Sequence, residues 1–258
     1  SPSSAASDVY KRQALAALRA GVDLAYIAAP SSIANAIRSF SPNLIVYSYP
    51  GEYFTEKAFS IIERLLPRCD AVAVGPGLGL EAETIDSCLT LLERCSSLGL
   101  SMVIDADAIK ALAKNTEVVK ESNTVITPHA GEFKMLTGVM LPSETESWKE
   151  RIEIVREYAG KLSVTLLLKA RYDIISDGER VKVNRTGSPG MTVGGTGDVL
   201  TGITAAFLAQ GASPFRAAVA AAFINGYAGE LLSKKMGHHF TALDLVEMLP
   251  EAFSHFNL

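Results

Sequence analysis

The segment DAVAVGPGLGLEAETIDSCLTLLERCSSLGLSMVIDADA (residues 70–108) decides the fold class. Its apolar run AVAV predicts a strand that enters a glycine-rich turn, the amphipathic run after the turn predicts a helix, and SMVI predicts a second strand. Strands that are apolar at successive positions and are joined through helices form parallel sheets covered on both faces. The segment therefore predicts a strand–helix–strand unit of an α/β protein.

The same alternation continues in both directions along the chain. Upstream, helical patterns alternate with the apolar runs DLAYIAAP (23–30) and NLIVYSYP (43–50), and downstream the strands NTVITP (123–128) and VTLLLKA (164–170) follow. Asp177-Gly178 lies between two short β-like runs, which is a hairpin signal. We therefore expect one domain over residues 14–258, a three-layer α/β/α structure on a mostly parallel, doubly wound sheet.

Residues 1–13, SPSSAASDVYKRQ, differ in composition from everything that follows. They are small and polar, and they become basic at Lys11 and Arg12. We expect an atypical or disordered N-terminal tail here, with a cloning remnant, a sequence-assembly artefact or the scar of a truncation as alternatives.

Composition narrows the classes of partner. The formal net charge of -4 argues against nucleic acid as the main partner, because no broad basic face is implied. No apolar run reaches membrane-spanning length and no signal peptide is recognisable, so we expect a cytoplasmic protein without a membrane partner. The three cysteines, without CxxC spacing, are expected to be free thiols.

The stretch MTVGGTGDVLTG (191–202) predicts an anion site. Its glycines let the backbone approach a ligand closely, and the helix that follows, over roughly 197–209, offers unpaired N–H groups and a positive dipole end. Asp198 lies on the first turn of that helix, where a carboxylate cannot help to bind an anion. A functional interpretation makes it a general base beside the phosphate, whereas a structural one needs only the helix dipole.

Other polar groups follow predicted strands. GPGLG (75–79), the pair Asp105 and Asp107, TPHAGE (127–132) and Lys169 each come at a strand end. Because ligands bind beyond the carboxyl ends of the strands in open parallel sheets, we expect one rim to collect them all. The two aspartates look like a metal pair, but a structural role at the next helix explains Asp107 equally well.

Six segments match one family in order. They are AVAVGPGLG (71–79), VIDADAI (103–109), VITPHAGEF (125–133), LLLKARYDIISDG (166–178), TGSPGMTVGGTGDVLTG (186–202) and FTALDLVEMLP (240–250). By these motifs the chain resembles the ADP/ATP-dependent NAD(P)H-hydrate dehydratases, carbohydrate-kinase-like repair domains of the ribokinase-like superfamily. GPGLG alone is weakly specific, whereas TPHAGE followed at this distance by SPGMTVGGTGDVL is specific.

The resemblance implies a reaction that repairs NADH or NADPH hydrated on the nicotinamide ring. A phosphoryl group from ADP or ATP would be transferred to the ring hydroxyl, and elimination of phosphate would restore the double bond. Asp198 would be the catalytic base, and Glu132 would anchor its loop or contact Mg²⁺ through water. The substrate would face Gly77, Gly79 and His129, although His129 could also merely cap the helix after it. The nucleotide site would be formed by Lys169, Ala170, Arg171, Tyr172, Asp173, Ser188, Pro189, Gly190, Met191, Thr192, Val193, Gly194, Gly195, Thr196 and Gly197.

The resemblance also sets expectations for partners. Mg²⁺ would accompany the nucleotide, with no tightly bound metal, and the chain would form a homo-oligomer. The epimerase domain that is often fused in the family would be a separate chain or lost. Two changes, Ala170 for the family's usual glycine and Ser188 for its asparagine, could alter nucleotide affinity.

The larger departure from the family is at the start, where the family has a strand that would lie inside the sheet. Its absence puts activity in question, so a nucleotide-binding protein without turnover is one rival function. The other rival is a kinase for a small alcohol on the same fold.

Overall fold

The computed structural model describes residues 3–256, within which the chain forms ten α-helices and eight strands. The strands are β1 (Tyr26–Pro30), β2 (Ile45–Tyr49), β3 (Ala71–Val74), β4 (Ser101–Ile104), β5 (Thr124–Ile126), β6 (Thr165–Leu168), β7 (Asp173–Ser176) and β8 (Val181–Asn184). The helices are α1 (Ser3–Arg19), α2 (Ser31–Arg38), α3 (Glu56–Ile62), α4 (Ala82–Ser97), α5 (Asp107–Leu112), α6 (Ala130–Thr137), α7 (Trp148–Leu162), α8 (Thr196–Ala209), α9 (Pro214–Met236) and α10 (Ala242–Ser254).

The strands form two sheets. Strands β3 to β8 follow one another in a six-stranded sheet, in which β3 to β6 are parallel and β7 and β8 are antiparallel. The predicted hairpin at Asp177-Gly178 is therefore confirmed. Strands β1 and β2 pair in parallel with each other as a separate sheet. The mostly parallel α/β/α fold is confirmed, but its sheet is divided between β1 and β3.

Side chains that alternate between the two faces of each strand contact the helix layers on either side of the sheet. In β4, Val103 packs with α1, α8, α9 and α10 on one face, whereas Met102 and Ile104 pack with α3, α4, α5 and α7 on the other. The same alternation recurs in β6, where Leu167 belongs to the first layer and Leu166 to the second. Successive side chains of a strand point to opposite faces, so strands that are apolar at every position supply both cores.

A cavity of about 520 Å³ lies where the sheet is divided. Its lining includes residues 26–28 of β1 and residues 71–74 of β3, which are the facing edges of the two sheets. Within residues 3–256, no strand bridges these two edges.

The expectation of a tail without regular structure before Ala14 is wrong for residues 3–13. Helix α1 begins at Ser3, because no glycine or proline within residues 3–13 interrupts it and Ser, Ala, Lys, Arg and Gln all tolerate helix. Its later turns are held by α8, where a Cβ on Gly202 would lie 2.9 Å from the Cβ of Ala16. Once the buried end of the helix is fixed, adding preceding residues costs little.

None of the helices within residues 3–256 combines the length and the apolar character needed to cross a membrane.

Candidate active site

Helix α8 begins next to the carboxyl ends of the parallel strands. Gly195 is its N-cap, with φ at +100°, and the helix starts at Thr196, one residue before the expected boundary. The backbone N–H groups of Thr196 and Gly197 make no hydrogen bond to another group within the part of the chain that the structure describes. The hydroxyl of Thr196 donates to the carbonyl of Met191 at 2.9 Å and so ties the preceding loop to the helix. The predicted anion-binding geometry, free amides at the positive end of a helix, is present.

Asp198 is on the first turn of α8 with its side chain 13% exposed. Burial raises its pKa above the usual value for an aspartate, and the negative charge of Asp105 acts in the same direction. Arg12 opposes this rise through a hydrogen bond of 2.9 Å from Nε to Oδ2, and the charge of Lys169 also lowers the pKa. A half-buried carboxylate with a raised pKa beside an anion site suits a general base.

Lys169 connects the central strands to the start of α8. Its Nζ lies 2.6 Å from Oδ1 of Asp105 and 3.9 Å from Oε2 of Glu132. Thr201, one turn after Asp198, donates its hydroxyl to Oδ2 of Asp105 at 3.0 Å. The expectation that one rim collects Asp105, Glu132 and Lys169 is confirmed by these distances. A Cβ placed on Gly197 would be 3.8 Å from Nζ of Lys169, so the ammonium group is beside the free amides of α8.

His129 caps helix α6. Its Nδ1 accepts hydrogen bonds from the backbone N–H groups of Gly131 and Glu132, at 3.0 and 3.2 Å. The Glu132 carboxylate in turn accepts the backbone N–H of His129 at 2.9 Å, which completes a capping box. The structural role that the sequence left open for His129 is therefore present. Nδ1 acts as an acceptor, so the proton of the neutral ring is on Nε2, and the side chain remains 59% exposed toward the rim.

The glycine-rich loop after β3 is held by Asp107. The Oδ2 atom of Asp107 accepts the N–H of Gly79 at 3.2 Å, and its Oδ1 atom pairs with Lys110 at 2.9 Å. Asp105 has different partners, because the residue between the two acids, Ala106, has a φ of +48° and turns the chain. The two aspartates are therefore not a metal pair. Within residues 3–256 no cluster of three or more histidine, cysteine or acidic side chains could hold a metal ion.

The predicted nucleotide segments lie against the hairpin and α9. In the first, Arg171 stacks over the ring of Tyr172, 5.4 Å from its centroid, and Asp173 accepts the N–H of Ala170 at 3.1 Å. In the second, Ser188 accepts a hydrogen bond from the Ser233 hydroxyl at 2.7 Å. Burial raises the pKa of Asp173, whose two carboxylate oxygens are both bonded inside the protein.

Three groups in or next to this site were not assigned a role from the sequence. Thr201 and Asn184 are ordinary polar residues in apolar surroundings, and only their partners reveal them. Arg12 lies in the atypical first segment, and its guanidinium is over the N-cap of α8, since a Cβ on Gly195 would be 2.6 Å from Nε. The abrupt basic pair at residues 11–12 was the only available signal.

A family model described as NAD(P)H-hydrate dehydratase matches residues 13–251. This chain belongs to the NAD(P)H-hydrate dehydratase family. The match covers every site residue expected from the sequence. It begins after Tyr10 and Arg12. The contacts of these two residues with Gly77 and Asp198 therefore each join a residue before the matched region to a residue inside it.

Two relatives show how members of the NAD(P)H-hydrate dehydratase family compare with this chain. The bifunctional NAD(P)H-hydrate repair enzyme Nnr of Pyrobaculum aerophilum is 51% identical over 244 residues, which are 94% of this chain and 47% of the relative. The ADP-dependent (S)-NAD(P)H-hydrate dehydratase of Nitrosopumilus maritimus is 40% identical over 92% of this chain and 79% of its own length. The chain thus spans about half the length of bifunctional relatives such as the first.

Solved structures support the fold of this family member. The ADP/ATP-dependent NAD(P)H-hydrate dehydratase of Bacillus subtilis, co-crystallised with ATP and Mg²⁺ and soaked with CoA, superposes with a TM-score of 0.77. The alignment covers 98% of this chain and 89% of the other, at 22% identity, a level that establishes the ribokinase-like fold alone.

Proposed function

We propose that this chain dehydrates the (S)-hydrate of NADH or NADPH with an adenine nucleotide as phosphoryl donor. The observation that carries the proposal is the start of α8, where free backbone amides adjoin the half-buried Asp198 within a chain of this family. ADP is the donor that we favour, because the relative from Nitrosopumilus maritimus is named ADP-dependent.

The first step is phosphoryl transfer. The backbone N–H groups of Thr196 and Gly197 would hold the transferring phosphate, and Lys169, whose ammonium group lies beside Gly197, would balance its charge. Asp198 would take the proton of the ring hydroxyl as its oxygen bonds to phosphorus, and the bond from phosphorus to the nucleotide's bridging oxygen would break. ADP would leave as AMP, or ATP as ADP.

The second step is elimination. Phosphate is a better leaving group than hydroxide, so the lone pair of the ring nitrogen expels it as the carbon–oxygen bond breaks. Loss of a proton from the neighbouring ring carbon then restores the double bond of NADH or NADPH. Gly77 and Gly79, which follow strand β3, and His129, which follows strand β5, are the residues that we assign to the dinucleotide.

Mg²⁺ fits this site as a companion of the nucleotide. Mg²⁺ is commonly held by one or two carboxylates together with substrate phosphates, and it neutralises charge on the phosphates when bound. The carboxylates of Asp105 and Glu132, both buried and both near Lys169, would contact its water ligands.

Replacement of the base tests the proposal. In a spectrophotometric assay with purified hydrate, Mg²⁺ and either ADP or ATP, the parent should regenerate the absorbance of the reduced nicotinamide. Asp198→Asn should lower kcat by about 100-fold or more. Asp86→Asn, which removes an exposed acid from α4, is the matched control and should leave kcat unchanged.

The products separate this function from its rivals. A kinase would accumulate phosphorylated hydrate without a gain in absorbance, and a protein that only binds nucleotide would do neither. The proposal is wrong if Asp198→Asn turns over hydrate as fast as the parent.

We further propose that epimerisation of the hydrate is performed outside residues 3–256. The Pyrobaculum aerophilum relative is named bifunctional, and this chain corresponds to 47% of it. Assembly into a homo-oligomer, expected from the resemblance, can be tested by light scattering of the purified chain.

A further inference from the structure

One buried amide connects the two loops to which we assign the nucleotide. Asn184 ends strand β8 opposite Asp173, the first residue of β7, and is 7% exposed. Nothing in the motif or the resemblance gave it a role. Its surroundings are unusual for a strand residue, because every polar atom of its side chain has a partner on a different segment or in the adjoining turn.

The amide nitrogen of Asn184 faces acceptors alone. Its Nδ2 donates to Oδ2 of Asp173 at 3.1 Å and to the backbone carbonyl of Ala222 on α9 at 3.1 Å. A third oxygen, the carbonyl of Thr186, is more distant at 3.5 Å. Because none of these three atoms can donate, they fix which end of the amide is the nitrogen.

The amide oxygen of Asn184 faces donors alone. Its Oδ1 accepts the backbone N–H of Thr186 at 3.3 Å and the Thr186 hydroxyl at 2.9 Å. Thr186 begins the turn that continues into the predicted nucleotide wall at residues 188–193. The carbonyl of Phe223 on α9 lies 3.0 Å from the same hydroxyl, so it shares the single hydroxyl proton with Oδ1 of Asn184.

The opposite end of the network reaches the other loop. Asp173, whose Oδ2 accepts from Asn184, uses Oδ1 to accept the N–H of Ala170 at 3.1 Å. This contact closes the loop at residues 169–173 directly after Lys169. The chain of contacts therefore runs from Lys169's loop through Asp173 and Asn184 to the turn at Thr186.

Close packing leaves this arrangement little freedom. A Cβ on Gly226 would lie 2.6 Å from the carbonyl oxygen of Thr186, and a Cβ on Gly229 would lie 2.7 Å from Cγ of Met191. The N–H of Gly187 donates to the carboxylate of Glu230 at 3.1 Å. Helix α9 is thus the surface on which the second loop rests, and Asn184 is the side chain that joins this surface to the first loop.

We propose that Asn184 is a positioning residue that holds the loop at 169–173 and the turn at 186–191 in the one arrangement that accepts the adenine nucleotide. The inference rests on the proposed function insofar as these two segments form the nucleotide site. Asn184 acts through the loops, so its loss should weaken nucleotide binding and leave the phosphoryl-transfer groups at α8 in place.

The first test is a split between KM and kcat. Asn184→Ala should raise KM for ADP about 10-fold, equivalent to ~1.4 kcal/mol, with kcat and KM for the hydrate within about 3-fold of the parent. Ile37→Ala, which removes a fully buried side chain from the separate cluster under α2, is the control for general destabilisation. It should lower the Tm but leave KM for ADP unchanged.

The second test is a swap of the two partners. Asn184→Asp places two carboxylates against each other at 3.1 Å, so it should raise KM for ADP more than Asn184→Ala does. Adding Asp173→Asn restores one donor and one acceptor and should recover most of the loss. Recovery should be incomplete, because the carbonyl of Ala222 lacks a donor in the swapped pair.

Calorimetric titration with ADP makes the two proposals separable, since it needs no turnover. A parent that binds ADP without converting hydrate refutes the dehydratase function. The ratio of the Kd for ADP of Asn184→Ala to that of the parent still decides the role of Asn184. A parent that turns over hydrate while Asn184→Ala binds ADP within about 2-fold of it refutes the positioning role alone. Equal weakening of ADP binding by Ile37→Ala, or a swap without recovery, also overturns the role of Asn184, and a parent that binds neither ADP nor ATP overturns both proposals.

Discussion

Replacing Gly75 with alanine should destabilise the fold at the base of the site. Gly75 follows β3 with a φ of +139°, and a Cβ there would lie 1.7 Å from the carbonyl oxygen of Asp105. The atoms in contact are backbone atoms of two adjacent parallel strands, which are tied by the Asp105 N–H to the carbonyl of Val74 at 3.0 Å. No rotation of a side chain can relieve the overlap, so the strands must separate by about the length of a covalent bond.

Two contributions set the magnitude for Gly75→Ala. The left-handed conformation costs an alanine about 1–2 kcal/mol, and forcing extra volume into packed surroundings costs about 1–3 kcal/mol more. The free energy of unfolding should therefore fall by about 2–5 kcal/mol, and at ~2–4 °C per kcal/mol for a chain of this size the Tm should fall by about 4–20 °C. Activity should fall as well, because the displaced Asp105 holds Lys169.

Gly99→Ala is the matched control for Gly75→Ala. Gly99 also has a positive φ, +69°, but a Cβ there would meet nothing within 4 Å. It should cost only the conformational part, about 1–2 kcal/mol. Differential scanning calorimetry measures the loss of stability in both variants, and the loss in Gly75→Ala minus the loss in Gly99→Ala gives the steric contribution. If Gly75→Ala is no less stable than Gly99→Ala, the close approach of the two strands is not real and the reasoning is refuted.

Four further outcomes are expected. Lys169→Met should lower the Tm, because it leaves Asp105 buried without its cation. Adding Asp105→Asn should recover part of the lost Tm. A double variant that is no more stable than Lys169→Met contradicts this prediction. In the pH profile of kcat/KM, the pH at which activity is lost on the acid side should lie above the ordinary pKa of an aspartate. Burial raises the pKa of Asp198, and activity is lost as the pH falls through that raised pKa. A midpoint at or below the ordinary pKa of an aspartate contradicts this prediction. Gly197→Ala should raise the Tm slightly, since Gly costs a helix ~0.5–1 kcal/mol relative to Ala, yet weaken ADP binding in calorimetry. Chelation of Mg²⁺ should weaken the same binding.

The strands of the larger sheet could be predicted because their information is local. Runs such as AVAV and TLLL are apolar at every position, so they fit only a sheet that is covered on both faces, and β3 and β6 are found there. The common rim followed from topology, since carboxyl ends of parallel strands share one edge. That argument brought Asp105, Glu132 and Lys169 together without any knowledge of distances.

The remaining features depend on contacts between distant parts of the chain. The helical state of residues 3–13 follows the docking of α1 on α8, and neither helix reveals that contact in its own sequence. Asp105 and Asp107 look equivalent in sequence, but the positive φ of Ala106 sends them to different partners. The role of Asn184 was not predicted, because a single asparagine at the end of a strand belongs to no recognisable sequence pattern.

Charge balance at the start of α8 favours the metal–nucleotide complex that we propose over a free nucleotide. The acids Asp105, Glu132 and Asp198 meet two cations at the start of α8: Lys169, whose side chain is only 23% exposed, and Arg12, which already pairs with Asp198 at 2.8 Å. Lys169 is already paired with Asp105 at 2.6 Å, so it can neutralise only part of an incoming phosphate. The free amides of α8 contribute a partial positive charge, about half a unit at a helix terminus. Under our proposal, a diphosphate would therefore meet an excess of negative charge and would need a cation of its own, which the acids beside Lys169 would help to hold.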